Sequence, residues 1–247
     1  MEVKNCRKTQ RTHALWSKCL PGVLGLLVLS IATPMLFGSD RSDDIARIQN
    51  SEEALHAIMG APDKAIPQEM FESAKCIAVI PGEKKVGFLF GGQYGKGLVT
   101  CRTPHGWSAP AFLTVAGGSV GFQIGASSTD IVMLFMNQDG VRHLLSDKFK
   151  IGGDATAAAG PVGRHASAAT DLEMHAEILT YARSRGVFAG VSLNGAVVEA
   201  DHSGDRALYG RHVTRQDILD GKVAVPKVAD PLVAEITHDV REAKRQG

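Results

Sequence analysis

The stretch that decides the fold is AFLTVAGGSVGFQIGA, residues 111–126. In its second half, apolar residues alternate with residues that are mostly glycine. The apolar set is Ala116, Val120, Phe122, Ile124 and Ala126, and the intervening set is Gly117, Ser119, Gly121, Gln123 and Gly125. Because successive side chains of a strand point to opposite faces, this pattern predicts one continuous strand with an apolar face and an almost bare face. Tight packing of a strand or helix against the bare face is favoured over a ligand groove.

Short apolar runs flank this stretch and predict further strands. They are CIAVIP (76–81), VGFLF (86–90), GLVTC (97–101) and DIVMLFM (130–136). PGEKK (81–85) and NQDG (137–140) have the composition of turns. The small residues of 151–164 predict a pair of strands with few bulky side chains and a turn at Gly160-Pro161. Asn194-Gly195 predicts a late hairpin between arms 187–193 and 196–200.

Helices are predicted before the strands. Apolar residues recur at helical spacing over 42–60, and a second helix is expected from Pro67 to about Lys75. The first helix has a net charge of −3, which favours packing on the core over binding to anionic lipid. The sequence therefore predicts an α+β fold in which N-terminal helices pack on a largely antiparallel, glycine-rich, barrel-like β-sheet.

Composition and charge are typical of a globular protein and argue against a nucleic-acid-binding protein. Of the 247 residues, 44% are hydrophobic and 21% charged, which is typical of a globular protein. Residues 1–38 carry a net charge of +4, so the remainder carries −3 of the total of +1. A net-acidic body argues against nucleic-acid binding, which depends on neutralising phosphates.

The N-terminal 38 residues have the pattern of an export signal. A basic stretch precedes an apolar run without charges at 20–37. This leader is expected either to be cleaved near Gly38-Ser39 or to remain as a membrane anchor, which places the body in the periplasm or cell envelope. The body is then predicted to be one domain over 40–212, followed by a C-terminal tail with short helices over 213–247.

Two cysteines, Cys76 and Cys101, lie in apolar runs of the body. Two buried free thiols are favoured, with a disulfide as the alternative in an oxidising compartment. The nine histidines are scattered without the spacing of a metal site, and neither a metal nor a cofactor is predicted.

Two short motifs resemble enzyme signatures. GGSVG (117–121) fits the G-x-S-x-G nucleophile elbow, which needs a sharp turn at Ser119 followed by a helix. Here the alternating pattern predicts that a strand continues through Ser119. GGQYGKG (91–97) resembles a phosphate-binding loop but has the wrong spacing. The sequence therefore predicts no enzyme activity, and a serine hydrolase that uses Ser119 is the least favoured alternative.

Several blocks, in order, resemble the SYLF domain family. They are PQEMFESAKCIAVIP, KVGFLFGGQYGKGLVTCR, GWSAPAFLTVAGGSVGFQIGASSTDIVMLFM, GGDATAAAGPVGR and YARSRGVFAGVSLNGAVVE. The likeness covers about Ile45 to Tyr209. It implies a non-enzymatic lipid-binding domain, related to that of a yeast actin-patch adaptor and to exported bacterial proteins. In eukaryotic relatives the domain binds phosphoinositides, and some members bind actin, which is not expected of an exported protein.

A lipid-binding role requires basic residues that converge on a phospholipid headgroup. The candidates are Lys84, Lys85, Lys96, Arg102, Arg164, Arg183 and Arg185. Lys84 and Lys85 are expected on an exposed turn, and Asp154 could pair with Arg164. The expected partner is a phospholipid or membrane surface, and the alternative is an envelope structural or protein-interaction module without lipid affinity.

Overall fold

The computed structural model describes residues 41–61, 65–88, 90–120, 125–161, 175–186, 193–210 and 212–246. The helices are α1 (Arg41–Met59), α2 (Gln68–Ser73), α3 (Gln138–Leu145), α4 (His202–Tyr209), α5 (Arg215–Leu219) and α6 (Asp230–Gln246), with a 3₁₀ helix at Lys227–Ala229. The strands are β1 (Cys76–Phe88), β2 (Phe90–Thr103), β3 (Gly106–Trp107), β4 (Ala111–Val120), β5 (Gly125–Phe135), β6 (Lys148–Lys150), β7 (Ala157–Ala159), β8 (Ile178–Gly186) and β9 (Val197–Ala200). Among these helices, none combines the length and the hydropathy needed to cross a lipid bilayer.

All nine strands belong to one curled sheet. Their order is β6-β9-β4-β2-β1-β5-β8-β7, with β3 paired to β2, and every pair except β7–β8 is antiparallel. In a flat sheet the seven steps of ~4.8 Å would separate the edge strands by roughly 34 Å. The chain from Lys150 to Ala157 can span only about 25 Å. The sheet therefore curls until β6 and β7 approach each other, and a bridge joins Ile151 to Ala155 in the connection between them.

The concave face of the sheet encloses one apolar core. Its buried residues come from the central strands, such as Ile80 and Met133, and from the region of the edges, such as Phe149 and Ala155. The Phe149 ring meets Phe135 edge-on at 6.4 Å. This confirms the predicted α+β fold with a largely antiparallel, barrel-like sheet.

The convex face carries a second core beneath the helices. Val79 and Leu98 point outward from β1 and β2 and pack with Ile48 and Leu55 of α1. The acidic helix α1 is therefore a core-facing helix, as its charge predicts. Beyond position 213, Ile218 of α5 joins the concave core, and Leu232 and Ile236 of α6 join the convex core.

Three local predictions are wrong. The alternation over 116–126 belongs to two strands, β4 and β5, which are separated in the sheet by β2 and β1. Residues 137–140 begin a helix instead of a turn, since the side chain of Asn137 caps α3 by accepting from Gly140 N–H at 2.9 Å. Residues 81–85 lie inside β1 and form a bulge. Residues 121–124 and 162–174, and residues 187–192 of the first arm of the late hairpin, lie outside the described residues.

Cys76 and Cys101 face each other across β1 and β2 and form a disulfide bond. The favoured pair of free thiols is therefore wrong. Sequence periodicity places each cysteine on the concave side of its strand but cannot give the register between two strands, which is what brings the sulfurs together.

Candidate functional site

The helices within the described residues cover only part of the convex face. At the end of the sheet formed by the second half of β1 and the first half of β2, outward side chains are exposed. We call four of these residues, Lys84, Val86, Tyr94 and Lys96, the open patch. Val86 and Tyr94 are 58% and 50% exposed, the highest values among the large hydrophobic residues that the structure describes. The open patch thus combines apolar and aromatic surface with two cations.

A bulge in β1 creates this arrangement. Val79 points outward under α1, and in a regular strand Lys84, five residues later, would point inward. The register shifts between Val79 and Lys84, and Gly82 adopts a positive φ of 57°. The Gly82 N–H donates to Asp130 Oδ1 at 2.9 Å, which fixes the bulge against β5. The extra residue therefore turns Lys84 and Val86 outward.

Pairing across strands assembles the open patch. Lys84 lies opposite Tyr94, and Lys96 is two residues further along the same face of β2. Lys84 Nζ donates to Ser128 Oγ of β5 at 3.2 Å. Small residues complete the surface around the tyrosine, because Ala116 lies opposite it on β4 and a Cβ at Gly92 would meet no atom within 4 Å. The result is an open surface from which Tyr94 and the lysine side chains extend.

Two further candidates lie on β8 at the same end. Arg183 is opposite Asp130 on β5, and its Nη1 lies 4.0 Å from Asp130 Oδ2, so the neighbouring carboxylate offsets part of its charge. Arg185 pairs with Ser128 in the backbone register, which puts it on the same side as Lys84. Its side chain lies outside the described residues.

The other candidate cations lie elsewhere. Lys85 pairs with Gln93 and Ser127 on the concave side and is half-buried, so its expected place on an exposed turn is wrong. Arg102 lies at the opposite end of β2, where Nη2 donates to the Glu72 carbonyl at 2.9 Å. Its guanidinium also stacks on Trp107 at 4.6 Å. Arg102 therefore fastens β2 to the end of α2.

Arg164 lies outside the described residues. Asp154, its suggested partner, accepts a hydrogen bond from the Lys150 N–H at 2.8 Å and stabilises the turn after β6. Ser119 lies within β4 opposite Gly91 of β2, so it is part of a continuous ladder. The strand-to-helix turn that a nucleophile elbow needs is not formed at Ser119.

Sequence reasoning missed the apolar half of the open patch. Tyr94 lies in the stretch that resembled a phosphate loop, and Val86 was assigned only to a strand. A signal was present, because Tyr94 and Lys96 have the two-residue spacing of one strand face. The bulge in β1 concealed this signal. Because it shifts the inward–outward alternation by one residue at Pro81-Gly82, the sequence pattern alone does not show which residues after it point outward.

A buried cluster of charges holds the opposite part of the sheet, and it was also missed. Arg47 of α1 contacts Asp44 at 3.1 Å and Asp201 at 2.9 Å, and its guanidinium lies over the Phe112 ring at 4.7 Å. Burial by itself would raise the pKa of Asp201. Hydrogen bonds from Ser203, Gly204 and Arg47 outweigh that effect and lower this pKa below its usual value. Arg47 therefore ties α1 to the start of α4.

Arg215 makes a second buried clamp. Its Nη1 donates to the Phe112 carbonyl at 2.6 Å and its Nε to the Leu144 carbonyl at 2.9 Å. Asp205 accepts from the Phe112 N–H at 2.7 Å. Burial raises the pKa of Asp205 to about 6, although Arg215 opposes the increase. The charges of Arg215 and Asp205 take part in buried contacts that hold the fold together, whereas the charges of the open patch face solvent.

Comparisons with known proteins identify the family. The sequence model described as "Ysc84: Las17-binding protein actin regulator" matches residues 116–238. The chain is 35% identical over 192 residues to Protein YSC84 of Saccharomyces cerevisiae, a match that covers 76% of this chain and 41% of the yeast protein. It is 36% identical over 188 residues to SH3 domain-containing YSC84-like protein 1 of Homo sapiens, which covers 75% of this chain and 55% of the human protein. The chain thus spans about half the length of these relatives or less. It belongs to the Ysc84, or SYLF, family.

Proposed function

We propose that this SYLF-family protein binds anionic phospholipid surfaces, including phosphoinositide-containing ones, through the open patch. The observation that carries the proposal is the grouping of exposed Val86 and Tyr94 with Lys84 and Lys96. Tyrosine is favoured at the membrane interface, where its ring lies among headgroups and acyl chains. Lysines beside it reach the phosphates, each worth about 1 kcal/mol near an anionic surface.

The role is non-enzymatic binding. The names of the relatives describe a Las17-binding protein and actin regulator, and proteins that contain an SH3 domain. Because this chain spans only part of their length, their partners are not transferred to it. What the open patch supports is attachment to a surface, and the lysines give that attachment a dependence on salt.

We also propose that the protein is exported to the periplasm or cell envelope. The basic and then apolar leader supports export, and the Cys76–Cys101 disulfide fits an oxidising compartment. Cell fractionation with alkylation of free thiols tests this, and mass spectrometry of the N-terminus distinguishes a cleaved leader from an anchor. Protein with both thiols free in the cytosolic fraction would refute export.

The membrane proposal is tested by co-sedimentation of the full chain with vesicles. The vesicles are neutral phosphatidylcholine, mixtures with an anionic phospholipid, and mixtures with a phosphoinositide, each at low and physiological salt. We expect binding to the anionic vesicles that weakens with salt. Replacing Lys84 and Lys96 by glutamate should weaken it about 30-fold or more, since the loss of two lysines alone costs about 2 kcal/mol.

A matched control separates the patch from general charge. Lys148 and Lys150 of β6 are exposed and have the same two-residue spacing as residues on one strand face. Replacing both by glutamate makes the same charge change elsewhere and should leave most of the vesicle binding intact. Equal losses in the two double variants would refute the open patch. Absence of binding to every vesicle would favour the envelope protein-interaction alternative.

A further inference from the structure

A buried carboxyl group lies on the concave side of the same end of the sheet. Glu83 is 1% exposed, and neither of its carboxylate oxygens has a hydrogen-bond partner. Burial raises its pKa, and the nearby charge of Lys85 acts in the opposite direction. A buried ionisable group without a partner is costly, so its presence calls for an explanation.

The surrounding strands make room for this group. Gly95 of β2 faces Glu83, and a Cβ on Gly95 would lie 2.6 Å from Ile80 Cγ2 and 3.0 Å from Glu83 Cγ. A side chain larger than hydrogen at this position would therefore clash with Ile80 and crowd Glu83. On the other side, Thr129 of β5 pairs with Glu83 and is itself buried, and its hydroxyl oxygen lies 3.1 Å from Ser184 Oγ. The strand register thus places Glu83 beside the Thr129–Ser184 hydroxyl pair, and its carboxylate forms a hydrogen bond to neither hydroxyl.

The next layer toward the end of the sheet is polar and more open. It contains Lys85, Gln93, Ser127 and Gly117, which pair with one another across β5, β1, β2 and β4. Lys85, Gln93 and Gly117 are partly exposed. A group entering here meets a cation first and the Glu83 carboxyl one layer deeper.

These positions define the chemistry of the ligand. A primary ammonium donates three hydrogen bonds, which suits a carboxylate with neighbouring hydroxyl oxygens. A quaternary ammonium prefers aromatic faces, and none of the described residues in these two layers is aromatic. A metal ion needs more acidic or histidine ligands, and the described part of the chain contains no group of three that could hold one. The order of charges also matches a zwitterion.

We propose that Glu83 and Lys85 form a binding site for a zwitterion with a primary ammonium and a phosphate, of the phosphoethanolamine type. Glu83 receives the ammonium, and Lys85 pairs with the phosphate. This site lies on the concave side and is separate from the open patch. The zwitterion could be free or part of a phosphatidylethanolamine headgroup, and only the lipid-borne form rests on the membrane function proposed above.

The test uses the full chain and soluble probes first. O-phosphoethanolamine, O-phosphocholine and inorganic phosphate are titrated separately, with isothermal calorimetry and the thermal unfolding midpoint as readouts. We expect O-phosphoethanolamine to bind and raise the midpoint, and the other two to bind at least tenfold more weakly. Equal responses to O-phosphoethanolamine and O-phosphocholine, or no response to either, would overturn the proposal.

Variants then assign the groups. Glu83→Gln keeps the shape and removes a buried charge, so it should fold with an unchanged or higher midpoint and bind O-phosphoethanolamine at least tenfold more weakly. Lys85→Gln should abolish the difference between O-phosphoethanolamine and plain ethanolamine. Undiminished binding by folded Glu83→Gln would overturn the site.

A last experiment distinguishes a free zwitterion from a phosphatidylethanolamine headgroup. It also distinguishes the zwitterion site from membrane binding by the open patch. Vesicles of phosphatidylcholine with and without phosphatidylethanolamine are compared for the wild type and for Lys84→Glu/Lys96→Glu, which should retain binding of the soluble probe. Soluble binding without vesicle binding supports the site for a free zwitterion while the membrane function fails. A loss of soluble binding in the open-patch variant would contradict two separate sites.

Discussion

The outward row of β2 passes through two different environments. Leu98 and Arg102 lie in the half covered by helices, where the leucine packs beneath α1 and the arginine donates to carbonyls of α2 and its C-terminal end. Tyr94 and Lys96 lie in the other half, on the same face of the same strand, and are exposed. The alternating pattern therefore determines which residues point outward. Elements far away in the sequence determine whether those residues hold the fold or meet a partner.

The charges show the same division. In the covered half, Arg47 and Arg215 are buried against carboxylates, carbonyls and an aromatic ring, so removing either one leaves polar groups without compensation. In the open half, lysines are hydrated, and their removal costs little stability. Substitutions in the covered half should therefore change stability, and substitutions in the open half should change binding.

The largest effect is expected from Arg47→Met. This change removes the guanidinium from the buried carboxylates of Asp44 and Asp201, and breaking such a buried pair costs about 3–5 kcal/mol. Urea unfolding measures the loss. The control is Arg142→Met, which removes an exposed ion pair with Asp139 and should cost under about 0.5 kcal/mol. A loss below about 1 kcal/mol for Arg47→Met would contradict the division.

The disulfide is expected to contribute slightly less to the free energy of unfolding than the buried ion pairs of Arg47. Cys76 and Cys101 are 25 residues apart, and a loop of this length gives about 3–4 kcal/mol through the restricted unfolded chain. Replacing both cysteines by alanine should lower the urea midpoint, and a reductant should lower the wild type toward the same value. Vesicle binding by the folded double variant should persist. An unchanged midpoint after reduction would contradict the bond's role.

The pH dependence of stability should come from buried carboxyl groups, chiefly from Asp205 in the covered half. The pKa of Asp205 rises from 3.8 in the unfolded chain to about 6, so the native state binds this proton more tightly. Its contribution is present below about pH 4 and is lost as the pH rises to about 6, by up to about 3 kcal/mol. Glu83, at the open end of the sheet, acts in the same direction, whereas the lowered pKa of Asp201 acts in the opposite direction. Asp205→Asn should flatten unfolding free energies between pH 4 and 6, and an unchanged slope would argue against this assignment.

The smallest effect is expected from Tyr94→Ser. Losing the ring at the interface should cost about 1 kcal/mol of vesicle binding, roughly fivefold, without changing the salt dependence. Leu145→Ser is the control, because Leu145 is another exposed hydrophobic residue, at 40%, and lies on α3. Similar losses for the two variants would show that the apolar contribution is not localised in the open patch.

Much of the fold could be predicted from local patterns. Helical spacing gave α1, and short apolar runs gave the strands of the central sheet. The pairings could not be predicted, because the register between β1 and β2, which joins Cys76 to Cys101, depends on the whole sheet. The alternation across 116–126 continues through a change of strand, so a regular pattern gave one strand where there are two.

The positions of the candidate cations in the fold could be predicted only in part. Lys84 and Lys96 lie together, and Arg183 and Arg185 are on the same side, but Arg102 is a structural clamp. Charge alone does not separate these roles, since the difference lies in which helix covers each position. Lys85 was expected beside Lys84 in space, and the strand sends the two to opposite faces.

The bulge at Pro81-Gly82 shifts the inward–outward alternation of side chains along β1 by one residue. A single additional residue decides that Lys84 and Val86 face outward while Glu83 and Lys85 face the interior. An insertion or deletion in this short segment would exchange the two sets at once. Evolution can therefore tune the outer and inner surfaces one substitution at a time, but a change in length here would alter both together.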